Sequence, residues 1–352
     1  MLAPRSLRSR LLLASGASIA AIALMTGCTA GSTTPATEAA VEEEAVDTGT
    51  TGGSDGEITI GFSGPAADHG WLGAINTAAI AEAEKYPDVN LVVAEGTNDA
   101  NLQISQVETF INDGVDAIVL LPTDGAALTD VAIQAMEAGI PVINVDREFS
   151  STFAARTTIL GDNYGMGVSA GTYICEQLEG NDDAVVAEIA GIDSLPLTQE
   201  RSEGFADALD DCGLEVTNRV AADFTVQGGE AAASQLLSAA PQIDAIWNHD
   251  DDQGVGVLAA IDAAGRDEFF MVGGAGSANV MRAIQADDTV LKATVIYPST
   301  QAADGIALAR LIVQNAGMEE LVEGAVPRKV QLYAPVVTKE NVEVYLPSAF
   351  ES

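Results

Sequence analysis

Short runs rich in valine, isoleucine and leucine alternate with longer stretches whose apolar residues recur every three or four positions, and the alternation extends from residue 57 to about residue 297. EITIGFSG, NLVVAEG, AIVLLP, PVINVD and ARTTILGD read as strands of a first half, with helical patterns over 72–85, 101–113 and 126–138 between them. After Asp162 the pattern restarts. Helices over 165–178, 198–211, 228–238, 252–264 and 278–285 separate the strands AVVAEIAG, EVTNRVAAD, AIWNHD, FFMVGGAG and LKATVIYP, and a helix over 301–316 and a strand VQLYAPVVT follow. Gly139-Ile140-Pro141 and Ala264-Gly265 are helix stops set just ahead of strands. Continuous apolar runs suit strands buried on both faces, which means parallel sheets covered by helices. The predicted fold class is therefore α/β, with two doubly wound parallel-sheet lobes.

In an open parallel sheet, ligands bind outside the carboxyl ends of the strands, so those ends hold the informative residues. VDRE places Asp146 and Arg147 directly after an apolar strand. A carboxylate accepts from paired hydroxyls and a guanidinium donates in a fork, which together orient a neutral polyhydroxylated ligand; a local surface ion pair is the plainer reading. SGPAADHGWL brings His69 and Trp71 to the mouth of the first strand, where an aromatic face can cover a sugar ring or simply join the core. Arg201 in LTQERSEGF is expected to open a helix. The helix dipole disfavours a cation there, which a side chain turned into the cleft would explain; a solvent-facing pair with Glu200 or Glu203 is the equal alternative. Tyr297 closes the last strand of the second half.

The stretch NHDDDQG at 248–254 falls on a strand-to-helix turn. Asp251 or Asp252 is expected to cap the following helix, leaving Asp250 free to face the cleft. A calcium loop needs oxygens at alternate positions and a distant glutamate, which three adjacent aspartates do not provide. P-loop, nucleophile-elbow, zinc-protease and dinucleotide-binding signatures are all missing, and two histidines make a poor basis for a triad or a zinc site. A pair of opposed carboxylates for hydrolysis stays open as an enzymatic alternative. No cofactor, metal or catalytic residue is predicted.

Charge and the two ends of the chain change the picture further. A net charge of −37 argues against nucleic acid or anionic lipid as a partner. Arg5, Arg8 and Arg10 precede a short apolar run, 11–25, that ends in Thr26-Gly27-Cys28. This reads as a secretory signal over 1–28 with a lipoprotein-like cleavage box, Cys28 becoming the lipidated end that ties the protein to the outer face of the membrane, with ordinary cleavage nearby or a single-pass anchor as the alternatives. Residues 29–56, small, polar and acidic, form an expected disordered tether. Cys175 and Cys212 fall near the ends of two helices that flank one strand, so both come to the same sheet edge. A disulfide between them is expected, worth roughly 3–4 kcal/mol in the chain-entropy account, with two buried thiols as the alternative.

Taken in order, GVDAIVLLPTD, GIPVINVDRE, RSEGFADAL, VAADF and NHDDDQGVGVLAAIDAAG give the run from Ile58 to about Val337 a specific likeness. It resembles the ribose-binding-protein-like branch of solute-binding proteins, the receptors of ABC sugar importers. The resemblance implies two lobes joined by three crossovers, lobe one over 57–161 plus 298–332 and lobe two over 162–297 plus 333–345. It implies a monomer that closes on a monosaccharide-like ligand and hands it to the transmembrane subunits of a permease, without turnover. It further implies that Trp71 stacks on the ligand with His69 beside it, that Asp146, Arg147 and Arg201 bind hydroxyls, that Phe224 is a lobe-two aromatic, that Asp250 holds a place usually filled by Asn, and that Tyr297 lies on the hinge side. One departure is Ala275, where many sugar binders carry an aspartate, and another is apolar Leu121 at a position often polar. Both count against ribose itself and leave another pentose or hexose, a furanose form, a polyol or a signalling molecule as the ligand. A repressor on the same fold would need a DNA-binding domain where the signal and tether stand.

Overall fold

The structure, a computed structural model, describes residues 56–316, 318 and 325–351. The predicted signal, Cys28 and the tether up to Asp55 lie outside the described residues. The first part of the chain forms β1 (Ile58–Ser63), α1 (Gly70–Ala83), β2 (Val89–Val93), α2 (Ala100–Asp113), β3 (Ala117–Leu120), α3 (Gly125–Glu137), β4 (Val142–Val145) and β5 (Thr157–Gly161). Then follow α4 (Asn163–Gln177), β6 (Val186–Ala190), α5 (Pro196–Asp211), β7 (Val216–Ala221), α6 (Val226–Ala239), β8 (Ala245–Asn248), α7 (Asp251–Ala264), β9 (Phe270–Ala275), α8 (Ala278–Ala286) and β10 (Leu291–Ile296). The chain continues with α9 (Gln301–Val313), β11 (Lys329–Leu332), β12 (Val336–Thr338) and α10 (Val342–Tyr345).

These strands make two six-stranded sheets, ordered β11-β5-β4-β3-β1-β2 and β12-β10-β9-β8-β6-β7. All pairings are parallel except β10 with β12. The central strands β3, β4, β6 and β8 are buried at every position, as helices on both faces require. The edge strand β7 alternates between half-buried and exposed residues, because only one of its faces is covered. The chain crosses between the sheets three times: from β5 into α4, from β10 into α9, and from β11 into β12. Helix α9 accordingly returns to pack on α1, β3, β4 and β5 of the first sheet.

Two expectations need correction. VQLYAPVVT is two strands in different sheets, since Pro335 has no N–H to extend a ladder and forces its neighbour out of register. Its carbonyl instead accepts from Ile296 N at 2.9 Å, pinning the crossing to β10. Helix α5 begins at Pro196, a residue pre-set for the first helical turn, so Arg201 lies in the second turn and does not open the helix. Helices α4 and α5 pack side by side and bring Cys175 and the C-cap residue Cys212 to an S–S separation of 2.06 Å, with Cα atoms 6.1 Å apart.

Candidate functional site

Between the carboxyl ends of the two sheets lies a small pocket lined by His69, Trp71, Asp146, Arg147, Leu197, Arg201, Phe224, Asp250, Ala275 and Tyr297. All eight candidates from the sequence meet there. Leu197 and Ala275 join them as apolar wall.

The backbone at this pocket is unusual. Among the described residues five that are not glycine have positive φ, and three of them line the pocket: Asp146 (65°), Phe224 (68°) and Ala275 (101°). Each costs about 1–3 kcal/mol, and such strain persists where surrounding structure holds it for a purpose. At Asp146 the hold is a bond from its own N–H to Ile159 O at 2.9 Å. At Phe224 it is Gln253, whose Oε1 accepts from Phe224 N at 3.0 Å while its Nε2 donates to Asn248 Oδ1 at 2.8 Å and to Ile189 O and Ala190 O at 3.3 Å. Glycines make room for the rings: a Cβ on Gly161 would sit 2.0 Å from the Tyr297 ring, and one on Gly191 2.0 Å from that of Phe224.

Three aromatic rings and two guanidinium groups frame the space. Trp71, in the first turn of α1, donates from Nε1 to Tyr297 O at 3.1 Å and tilts against that ring at 5.4 Å. His69 stacks on Phe224 at 6.2 Å and bonds Asp68 through Nδ1 at 2.7 Å. Arg201 is 5% exposed and donates from Nε to Asn163 Oδ1 at 2.9 Å and from Nη1 to His249 O at 3.2 Å. Its guanidinium carbon sits 4.5 Å from the centre of the Tyr297 ring, within cation–π range. Neither Glu200 nor Glu203 pairs with it. Arg147 donates from Nη1 to Thr123 O at 2.8 Å and Pro122 O at 3.3 Å, while its buried Nε has no hydrogen-bond partner and lies 3.7 Å from Asp146 Oδ2. The remaining carboxylate oxygen, Asp146 Oδ1, accepts from the Tyr297 hydroxyl at 2.6 Å. Burial and the Asp146 charge raise the titration of that hydroxyl, which keeps it a donor.

The three adjacent aspartates divide their tasks differently from expectation. Asp250 is itself the cap of α7, accepting from Gln253 N at 3.0 Å through Oδ1, and it also lines the pocket. Burial pushes it up to about 7, with the His69 charge and the Gln253 N–H pulling the other way. Asp251 turns inward: its oxygens accept from Gly274 N at 3.0 Å, Gly276 N at 2.8 Å, Ser277 N at 2.7 Å and Thr294 Oγ1 at 2.9 Å, fixing the end of β9, which carries Ala275, and the turn that follows. Asp252 reaches the other half of the molecule, where Oδ2 accepts from Gly70 N at 2.7 Å. That N–H belongs to the free first turn of α1, so the bond also places a negative charge at the positive end of a helix. Among the described residues no cluster of three or more His, Cys, Asp or Glu is placed to hold a metal ion.

Sequence reasoning missed Gln253, Asn163 and the crossing bond of Asp252. Gln253 and Asp252 stand inside the same DDQG turn already singled out, but nothing in a linear run tells which of its side chains turns inward.

Two parallel-sheet halves linked by three crossings, with a mixed aromatic and charged pocket between their strand ends, define a receptor that clamps a small ligand. The chain belongs to the periplasmic binding proteins, a family of non-enzymatic transport receptors: the family model described as periplasmic binding protein domain matches residues 60–317. It is 31% identical over 261 residues to the ribose import binding protein RbsB of Bacillus subtilis, covering 72% of this chain and 83% of that one. It is 30% identical over 270 residues to a putative rhizopine-binding protein of Rhizobium meliloti, covering 74% of this chain and 83% of the relative. Among solved structures, a Mycobacterium smegmatis protein in complex with β-D-fucofuranose superposes with a TM-score of 0.74 at 26% identity, covering 82% of this chain and 94% of that one. An ABC transporter solute-binding protein from Bacillus halodurans with bound myo-inositol does so equally well, at 0.74 and 26%, covering 84% of this chain and 99% of that one.

Proposed function

We propose that this protein is the capture receptor of an ABC importer for a monosaccharide-like ligand, held between the two sheets by Trp71, Phe224, Asp146, Arg147, Arg201 and Asp250, with His69 and Tyr297 completing the enclosure. The observation that carries the reading is the convergence of three aromatic rings, two guanidinium groups and two carboxylates on one interlobe pocket. Aromatic faces cover the apolar face of a sugar ring, and the charged groups read its hydroxyls. The pocket as it stands encloses about 30 Å³, room for a water or two, so a ring enters only when the halves part at the three crossings, and they close over it with the walls further apart than they are here.

The lobes divide as 57–161 plus 298–332 and 162–297 plus 333–345. A monomer tethered through lipidated Cys28 to the outer face of the membrane delivers ligand to permease transmembrane subunits, and the Cys175–Cys212 disulfide forms outside the cell. Ligands of the similar proteins, ribose, fucofuranose and myo-inositol among them, mark the chemical range. Apolar Ala275 in the pocket wall favours a furanose or deoxy form over ribose, and it favours a polyol as the second reading.

Thermal-shift screening against pentoses, hexoses, furanose-forming sugars, polyols and unrelated solutes tests the reading. Ligand at 100 times its Kd stabilises by about 2.7 kcal/mol, a clear rise in the midpoint. A sugar or polyol whose effect vanishes in Arg147→Ala supports it. A response confined to unrelated solutes would sink it.

A further inference from the structure

Beside the closed pocket lies a much larger cavity of about 410 Å³, within the size range of small-molecule sites, which shares Asp146, Arg147 and Leu197 with it as a common wall. One side is built by the start of α3 and the segment after β4, the other by the loop before α5 and Glu200 within it. Phe149, Leu160 and the segment 195–197 give it an apolar lining. Its acidic groups are Asp124, Asp146, Glu148 and Glu200, and Arg147 is the one cation in its lining. That cation is already engaged with two backbone carbonyls through Nη1 and faces Asp146 through Nε. Asp124 caps α3 through Ala127 N at 2.9 Å, and Glu148 pairs with Lys329 at 3.1 Å, whereas burial holds Glu200 toward its neutral form. A free monosaccharide in the inner pocket would leave this partly apolar, acidic space to water.

We infer that the ligand is a glycoside, its sugar ring in the inner pocket and its substituent, partly apolar and neutral or cationic, in the outer cavity beyond Arg147. This rests on the sugar reading above and narrows it. An anionic substituent such as a phosphate meets Asp124, Asp146 and Glu148 there, against a single guanidinium whose Nη1 is taken by backbone carbonyls and whose Nε already faces Asp146, and is disfavoured.

The test is calorimetric titration of the full chain in detergent with D-ribose, D-galactose, D-fucose and L-arabinose, with the methyl, phenyl and 2-aminoethyl glycosides of each, and with their phosphates. The expected result is a phenyl or 2-aminoethyl glycoside that binds at least tenfold tighter than its parent sugar, with the phosphate weaker than the parent. Ser194→Trp and Ala126→Trp, which fill the outer cavity from opposite walls, should abolish that gain and leave the parent sugar's affinity unchanged, itself a check of folding. Parent sugars that bind as tightly as every glycoside, or a tenfold gain that survives both fillings, overturn the inference while leaving the sugar reading intact. Silence from all sugars and glycosides overturns both.

Discussion

Two strand ends supply the carboxylates of the pocket, and they use them in opposite ways. After β8 the aspartates are engaged with the protein's own N–H groups: Asp250 with Gln253, Asp251 with the turn following β9, Asp252 with Gly70. After β4 the pair is underused: Arg147 Nε has no hydrogen-bond partner, and Asp146 Oδ2 meets it only as a loose ion pair at 3.7 Å. The second half of the molecule therefore spends its charge on shape, and the first half keeps bonding capacity for a ligand. A dense run of acidic residues was the more conspicuous feature of the chain, yet most of it is construction. The sparser VDRE carries the unused valence.

The hub of the built side gives the largest expected effect. Gln253→Ala leaves Phe224 N and Asn248 without their partners in a buried site, a loss of roughly 3 kcal/mol in stability and about 6–12 °C in the unfolding midpoint. A loss below about 1 kcal/mol by chemical denaturation would show that the aspartate turn does not depend on this frame. Arg147→Ala should do the reverse, weakening ligand about 100-fold by titration while changing the unligated midpoint little. If its fold suffers as much as its binding, the contrast between the two strand ends collapses.

Asp252→Asn probes the one of the three adjacent aspartates that bridges the halves. Weakening its charge-assisted bond to the start of α1 should loosen the closed form, cutting affinity about tenfold and expanding the molecule in small-angle scattering. Unchanged affinity and scattering would mark the contact as incidental.

The smallest effect is a pH dependence. Asp250 titrates at about 7 in the folded protein and near the ordinary carboxyl value of about 3.9 when unfolded. Between those values the folded chain holds a proton that the unfolded chain has lost, so this group's contribution is full below about pH 4 and is lost as pH rises through 7. Denaturation midpoints measured from pH 4 to 8 should accordingly fall less steeply in Asp250→Asn than in the parent. A steeper fall would contradict the burial that raises the group.

Much of the fold and site was legible in the chain. Apolar runs such as AIVLL and AIWN announce buried strands because a central parallel strand has no face left for polar residues, and helix periodicity is equally local. Strand ends then point to the pocket because parallel topology gathers them, which is how His69, Trp71, Asp146, Arg147, Arg201, Phe224, Asp250 and Tyr297 come together. The break at Pro335 was present in the letters, and the expected lobe boundary at 332/333 fell inside the run, yet its β-formers read as one strand. What only tertiary structure decided is direction: which of three adjacent aspartates caps, which turns inward and which crosses to Gly70, and that Gln253 ties Phe224 into positive φ. Periodicity reports how often a side chain meets the core. It cannot report which distant N–H a carboxylate meets, because that donor is supplied by a segment 23 to 182 residues away and fixed only when the sheets have closed around it.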